Sequence, residues 1–294
     1  MADPKRLELR RGAVELELCP RFGGAITRLR HDGGDLLRPA GAAMLRGGDS
    51  RFASCFPLVP FSNRIADAHF RFRDRSYELP RNFPPEPHAI HGQGWQNPWE
   101  IAAVGPSRAE LTFRHAVPDT PLDYRARQVF ELEDDGLAVT IEVSNAGSGA
   151  MPAGIGQHPY FPRTDRVALR ASLDHVWLAD ERNIPKERVA VPGRWDFSNG
   201  PRVAALELDN CFGGWDGRAA IFWPEHKLEL RIEADPVFGH LVVYVPPGRD
   251  FFCVEPVSNA NDGFNLLERG VSGTGVCVLE PGERLAGTIR LRIG

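Results

Sequence analysis

The sequence predicts an all-β fold, a large antiparallel β-sandwich or barrel, and three observations carry that reading. Apolar residues recur with period two in "AVELEL" (Ala13 to Leu18), "ELTFRHAV" (Glu110 to Val117), "KLELRIEA" (Lys227 to Ala234) and "GTIRLRI" (Gly287 to Ile293), as expected for strands with one buried face. The 30 glycines and 25 prolines fall between such runs as turn punctuation. No helical pattern is longer than about three turns.

Taken in chain order, "RFRDRSYELPR" is the densest run of arginines, but acids and apolar residues break it, and it reads as a solvated strand face. "PRNFPPEP" (Pro80 to Pro87) is a proline-rich loop and not a linker, because strand-like sequence resumes soon after it. "RQVFELEDDGLAVTIEVSN" holds two alternating runs joined by Asp-Asp-Gly, an antiparallel hairpin in which Asp-Gly is expected to supply positive φ. "DGFNLLERG" (Asp262 to Gly270) is the best candidate for a short helix. No composition shift or repeat divides the chain, so residues 1–294 are expected to form a single domain. Exposed strand edges would allow a homodimer by pairing.

Composition narrows the function. A formal net charge of -4, with 25% charged residues, points to no nucleic-acid partner and no anionic membrane surface. No apolar run is long enough for a membrane span. The opening "MADPKRLELRRG" lacks the apolar stretch of a signal peptide. A cytoplasmic location is the resulting expectation. The five cysteines are scattered without a C-x-x-C, and read as reduced, mostly buried core residues. His88 and His91 stand three apart with no third ligand at a recognised spacing, so no metal is predicted. There is no G-x-S-x-G elbow and no phosphate-binding loop, and "HGQG" lacks dinucleotide-binding spacing.

Polar residues with chemical potential gather in four segments. They are "CFPLVPFSNRIADAHF", with Asn63 and Arg64; "HAIHGQGWQNPWE", with His88, His91, Trp95 and Trp99; "GIGQHPYFPR", with His158; and "FFCVEPVSNANDGFN", with Glu255. Glu255 is the most informative. A carboxylate at the end of a hydrophobic strand, before a proline, is expected to be partly desolvated, which raises its pKa and makes it a better base near neutrality. Pro159 restricts His158 to extended geometry. Each residue also has a structural alternative. A histidine can be a hydrogen-bonded core residue, Arg64 can pair with a structural acid, Trp95 and Trp99 can be core, and Glu255 can cap a strand end.

In their order along the chain, "CPRFGGAITRLRHDGGDLL", "FPLVPFSNRI", "HAIHGQGW", "GIGQHPYF", "LDNCF", "CVEPVSNA" and "LEPGERLAGTIRLRI" resemble the aldose 1-epimerase (galactose mutarotase) family over nearly the whole length. The ordered set is specific where each motif alone is weak. The resemblance implies a galactose mutarotase-like supersandwich. It implies a cofactor-free isomerase that interconverts the anomers of a free aldose, an aldohexose such as galactose or glucose. Glu255 would be the general base, His158 the general acid, and His91 a group that holds and polarises the sugar near its ring oxygen. Arg64 and Asp209 would bind hydroxyls. Apart from the resemblance, Asn63 is a further substrate-binding candidate and Trp95 a candidate to stack on the sugar's C–H face, with core packing as its alternative. Two departures concern sugar identity. Val242 stands where the best-studied branch has a glutamine, and "HGQG" replaces "HGG".

Three other readings stand beside this one. A non-catalytic carbohydrate-binding protein would not need both an acid and a base. An epimerase for a modified or phosphorylated sugar would need a clustered cationic pocket, which arginines scattered through the sequence neither establish nor exclude. A glycoside hydrolase could draw a carboxyl pair from Asp209 and Glu255, but would leave the histidines without a purpose.

Overall fold

The structure, a computed structural model, describes residues 6–294. The alternating runs become strands close to their expected bounds: Val14–Cys19, Arg108–Ala116, Leu228–Ala234 and Arg284–Ile293. Two large antiparallel sheets result. The first has 11 strands, ordered Leu7–Arg11, Val14–Cys19, Ala25–His31, Cys55–Leu58, Gly156–Pro162, Phe251–Val257, His240–Val245, Leu208–Gly213, His175–Ala179 and Pro185–Ala190, with Gly34–Asp35 paired to the third of these. The second has 8 strands, ordered Glu100–Val104, Arg108–Ala116, Asp123–Glu133, Gly136–Asn145, Arg284–Ile293, Leu228–Ala234, Arg218–Trp223 and Ala168–Ala171.

The inward faces meet in one apolar cluster that takes Leu9, Leu16, Phe161 and Phe252 from the first sheet and Tyr124, Phe130, Ile141 and Leu230 from the second. Burying this period-two face of both sheets is what drives the sandwich together. A second cluster, with Phe56, Trp95, Tyr160, Val242 and Cys253, lies on the other face of the first sheet.

The hairpin forms as expected, but its turn works differently. Glu133 pairs with Gly136, so Asp134 and Asp135 make the turn. Gly136 has an extended φ of 159° and supplies no left-handed residue. Its bare Cα matters because a Cβ there would meet the Leu291 carbonyl oxygen at 1.9 Å. The short helix spans Gly263–Glu268. The arginine-rich run becomes a small hairpin, His69–Phe72 with Arg75–Glu78, in which Phe70 and Phe72 are buried and the flanking charges exposed. All five cysteines are free, four of them buried. Among the described residues, no helix is long and apolar enough to cross a membrane.

One buried residue of the framework makes stability depend on pH. His240 is 5% exposed, and its Nδ1–H donates to the Ser258 carbonyl at 3.0 Å. Burial lowers its pKa to about 4. The folded chain therefore keeps the ring neutral at pH 5, while the unfolded chain protonates it below about 6.5. The unfolded state binds the extra proton, so this residue's contribution falls as pH drops from about 6.5 towards 4. His240→Gln is expected to shrink the stability difference between pH 7.5 and pH 5.0 by about 2 kcal/mol, read from urea unfolding. An unchanged difference would refute the assignment.

Candidate active site

The centre of the first sheet carries a transverse row of side chains. Strands Gly156–Pro162 and Phe251–Val257 pair antiparallel through Gly156 with Val257 and Tyr160 with Cys253. That register places His158 directly across from Glu255. Phe56 pairs with His158 on one side, and Val242 with Glu255 on the other. Pro159 has no amide hydrogen, and the ladder to Phe251–Val257 is interrupted around it. Side chains two residues apart share a face, so Tyr160 and Cys253 form the next row with Tyr244 and Asp209. Two residues remote in the chain thus meet because they are cross-strand neighbours on one face.

The contact is direct. His158 Nε2 lies 3.3 Å from Glu255 Oε1. Glu255 is 2% exposed and His158 7%. Burial drives the Glu255 pKa well above the carboxylate range; the nearby Asp209 charge adds to this and Arg64 opposes it. Burial lowers His158 to about 3. Both shifts disfavour charge, so the pair holds one proton most comfortably as neutral imidazole and carboxylic acid. The sequence places Glu255 at a strand end, partly desolvated. It sits inside the strand and is fully enclosed, because Pro256 and Val257 continue the pairing.

Over this face lies a cavity of about 350 Å³, lined by the pair together with Asn63, Arg64, His91, Trp95, Asp209 and Val242. Such a volume suits a small-molecule site. Every residue assigned to the site from the sequence therefore reaches one cavity. His88 does not. Its Nδ1 accepts from the Asp67 amide and its Nε2 faces the Arg182 carbonyl, a structural role. Trp99 is also core, stacked on Phe113 at 5.3 Å.

Local backbone geometry explains the placement of the others. Asn63 and His91 both adopt left-handed φ, 60° and 59°. They hold each other: the His91 amide donates to the Asn63 carbonyl, and the Asn63 amide donates to His91 Nδ1 at 3.0 Å. Nδ1 is thereby an acceptor, so the ring's single proton is on Nε2. Burial, with the charges of His158 and Arg64, keeps the His91 pKa well below 6.5. Arg64 bridges two acids, Glu86 at 3.3 Å and Asp209 at 3.8 Å. Burial raises the Asp209 pKa against the pull of Arg64. Trp95 stacks on Phe56 with centroids 5.2 Å apart, and its indole N–H serves the Ile90 and Gly92 carbonyls. Glu255 Oε2 and Arg64 Nε are buried and have no hydrogen-bond partner among the described residues, unsatisfied polar atoms of the kind found at functional sites.

His158, Cys253 and Glu255 bring ligand-type atoms within 4.8 Å of one another. Metal binding would need the Cys253 thiolate. Burial and the neighbouring Glu255 push that thiol well above its ordinary pKa. The sequence reading missed Arg38, Phe56, Tyr244, Arg249 and Phe251, which also line the cavity. They come from loops and neighbouring strands and carry no local signature.

Comparison with known proteins shows the family and the fold. Residues 5–292 match the aldose 1-epimerase family. The chain is 31% identical over 293 residues to the uncharacterized protein YphB of Escherichia coli K12, covering 97% of each. A solved Escherichia coli K12 protein, provisionally described as an aldose 1-epimerase, superposes with a TM-score of 0.89 at 32% identity over 99% of both chains. A galactose mutarotase-like protein from Clostridium acetobutylicum shares the fold, with a TM-score of 0.83 at 22% identity, covering 100% of this chain and 99% of that one. With the motifs in order, the sandwich in common and the match spanning nearly every residue, the chain belongs to the aldose 1-epimerase family.

Proposed function

We propose that the protein is a mutarotase, interconverting the α and β anomers of an aldose by acid–base ring opening and closure. The observation that carries this reading is the buried His158–Glu255 contact of 3.3 Å at the wall of a sugar-sized cavity. Sugar binding alone needs hydroxyl partners but no proton-sharing pair. Mutarotation needs one acid and one base.

For ring opening the shared proton first passes from Glu255 to His158 across their 3.3 Å contact, giving carboxylate and imidazolium. Glu255 takes the proton of the C1 hydroxyl while His158 gives its proton to the ring oxygen. The bond between C1 and the ring oxygen breaks, the C1–oxygen bond becomes a carbonyl, and the open-chain aldehyde forms. The pair is left as carboxylic acid and neutral imidazole, the form that burial favours in both partners. Desolvation therefore assists the proton transfers out of the closed ring. Rotation about C1–C2 presents the other carbonyl face. Closure then reverses both transfers and restores the carboxylate and imidazolium.

The remaining residues orient the ring. His91 presents an Nε2–H donor near the ring oxygen and stays neutral while doing so. Arg64 and Asp209 hold hydroxyls, with Asn63 fixing the turn that positions Arg64. Trp95 offers an apolar face to the sugar. No step requires a cofactor.

The test is polarimetry on freshly dissolved α-anomers of several aldoses with catalytic amounts of protein. The expected result is decay of optical rotation to the same endpoint at a rate proportional to protein concentration. Stabilisation of the protein by sugars without faster decay would replace this reading with a sugar-binding role.

A further inference from the structure

Arg38 is a cation without a matching anion. Its Nη2 donates to the main-chain carbonyls of Arg51 and Ala53, at 2.9 and 2.8 Å. Its guanidinium lies 4.0 Å from the ring centroid of Tyr160 and 4.5 Å from that of Phe251. Among the described residues no carboxylate lies within ion-pair distance of it, and Asp250 attracts it only from further away. Arg249, exposed at the cavity wall, also has no carboxylate within ion-pair distance among the described residues. Four arginines line the cavity; Arg51 is paired with Asp49, and Arg64 with Glu86 and Asp209, which leaves Arg38 and Arg249 without a carboxylate partner among the described residues. The linear sequence could not establish a cationic pocket; the fold brings these two uncompensated arginines to one cavity.

Its position relative to the chemistry is specific. Tyr160 stacks on His158 with ring centroids 4.7 Å apart. Arg38 therefore stands one aromatic ring beyond the group that protonates the sugar's ring oxygen. In an aldohexose that oxygen is bonded to C5, and C5 carries the exocyclic carbon. With the C1 hydroxyl held at Glu255 and the ring oxygen at His158, as the mutarotase reading requires, we place the C5 side of the ring, and so its exocyclic carbon, towards Arg38. A neutral hydroxyl there would use one of the remaining N–H groups and leave the charge uncompensated. Phosphate, sulfonate or carboxylate oxygens would match both the donors and the charge.

We propose that the substrate is an aldose bearing an anionic group on its exocyclic carbon, bound by Arg38 with Arg249 at the rim. This rests on the mutarotase reading and supplies its substrate class. The shared chemistry is an oxyanion, and the test separates its sources.

Anomer exchange is measured by NMR for a neutral hexose, its 6-phosphate, its 6-deoxy-6-sulfonate and the corresponding hexuronate, with the wild-type protein and with Arg38→Gln, Arg38→Lys and Arg249→Gln. The expected wild-type kcat/KM for at least one anionic sugar exceeds that for the neutral hexose about tenfold or more. Arg38→Gln should lower the anionic-to-neutral ratio by about 30-fold, the worth of a charge-assisted contact. Arg38→Lys should restore part of it, and Arg249→Gln, at an exposed position, should lower it about threefold. A preference for phosphate or sulfonate over hexuronate identifies a tetrahedral anion, and the reverse a carboxylate. A wild-type ratio near one, or a ratio unmoved in both Arg38→Gln and Arg249→Gln, overturns the inference while leaving a mutarotase for neutral sugars. Failure to accelerate any of the four sugars overturns the mutarotase reading and this inference with it.

Discussion

Glu255→Gln and His158→Gln are each expected to lower kcat for mutarotation by about 10²–10⁴-fold. Both replacements keep the volume of a buried side chain close to the original, so the sheet should survive. What is lost is the exchangeable proton site on one side of the C1–ring-oxygen bond. The two variants should fall by similar factors, and the double variant should fall little further, because the residues act as one unit. Rates near wild type in either single variant would remove the pair from the mechanism.

The pH profile separates this pair from an ordinary histidine acid. The working pair carries one proton. Adding a second, by protonating His158 above an already protonated Glu255, removes the base. That acid limb is expected far below 6.5, towards the depressed His158 value of about 3. Raising pH through the elevated Glu255 value removes the shared proton and with it the acid. The kcat/KM profile should therefore stay flat through pH 5 and fall only on the alkaline side, with both limbs belonging to the coupled pair. A decline centred near 6.5 would instead indicate an unperturbed, solvated imidazole.

Gly92→Ala is the second large effect. Gly92 has φ 69°, and a Cβ there would meet the Val59 carbonyl oxygen at 2.1 Å and Pro60 Cδ at 2.5 Å. The obstacle is main chain and ring, which cannot swing away as a flexible side chain can. Left-handed strain of about 1–2 kcal/mol and overpacking of about 1–3 kcal/mol should together cost about 3 kcal/mol in urea unfolding. Because Gly92 directly follows His91, the same change should shift the imidazole held by Asn63 and lower activity as well. Gly33→Ala is the control. It has φ 77° and nothing within 4 Å of a Cβ, so only the strain of about 1 kcal/mol should appear. Equal losses at the two positions would show that close packing at Gly92 is unimportant.

Much of the scaffold was legible in the linear chain. Val14–Cys19 and Leu228–Ala234 announce themselves because alternation within a strand is local, set by side chains pointing to opposite faces. Even so, the Asp-Asp-Gly turn showed the limit of local rules. The glycine is required by the approach of Leu291 from a strand far along the sequence, which turn chemistry does not see. The candidate residues Glu255, His158, His91, Arg64 and Asp209 were found through ordered motifs. Periodicity would not have separated His158 from His88, which differ only in what surrounds them.

From the sequence alone came the strand content, the antiparallel pairing of near neighbours and the chemical identity of the groups available. The tertiary structure alone decided which groups touch: the register between Gly156–Pro162 and Phe251–Val257 sets His158 against Glu255, and Arg38 joins them from a loop without a signature. It also decided their charge. A carboxyl or imidazole acquires an unusual proton affinity only when distant segments close over it and exclude water, and that exclusion belongs to the packed molecule and to no segment of it.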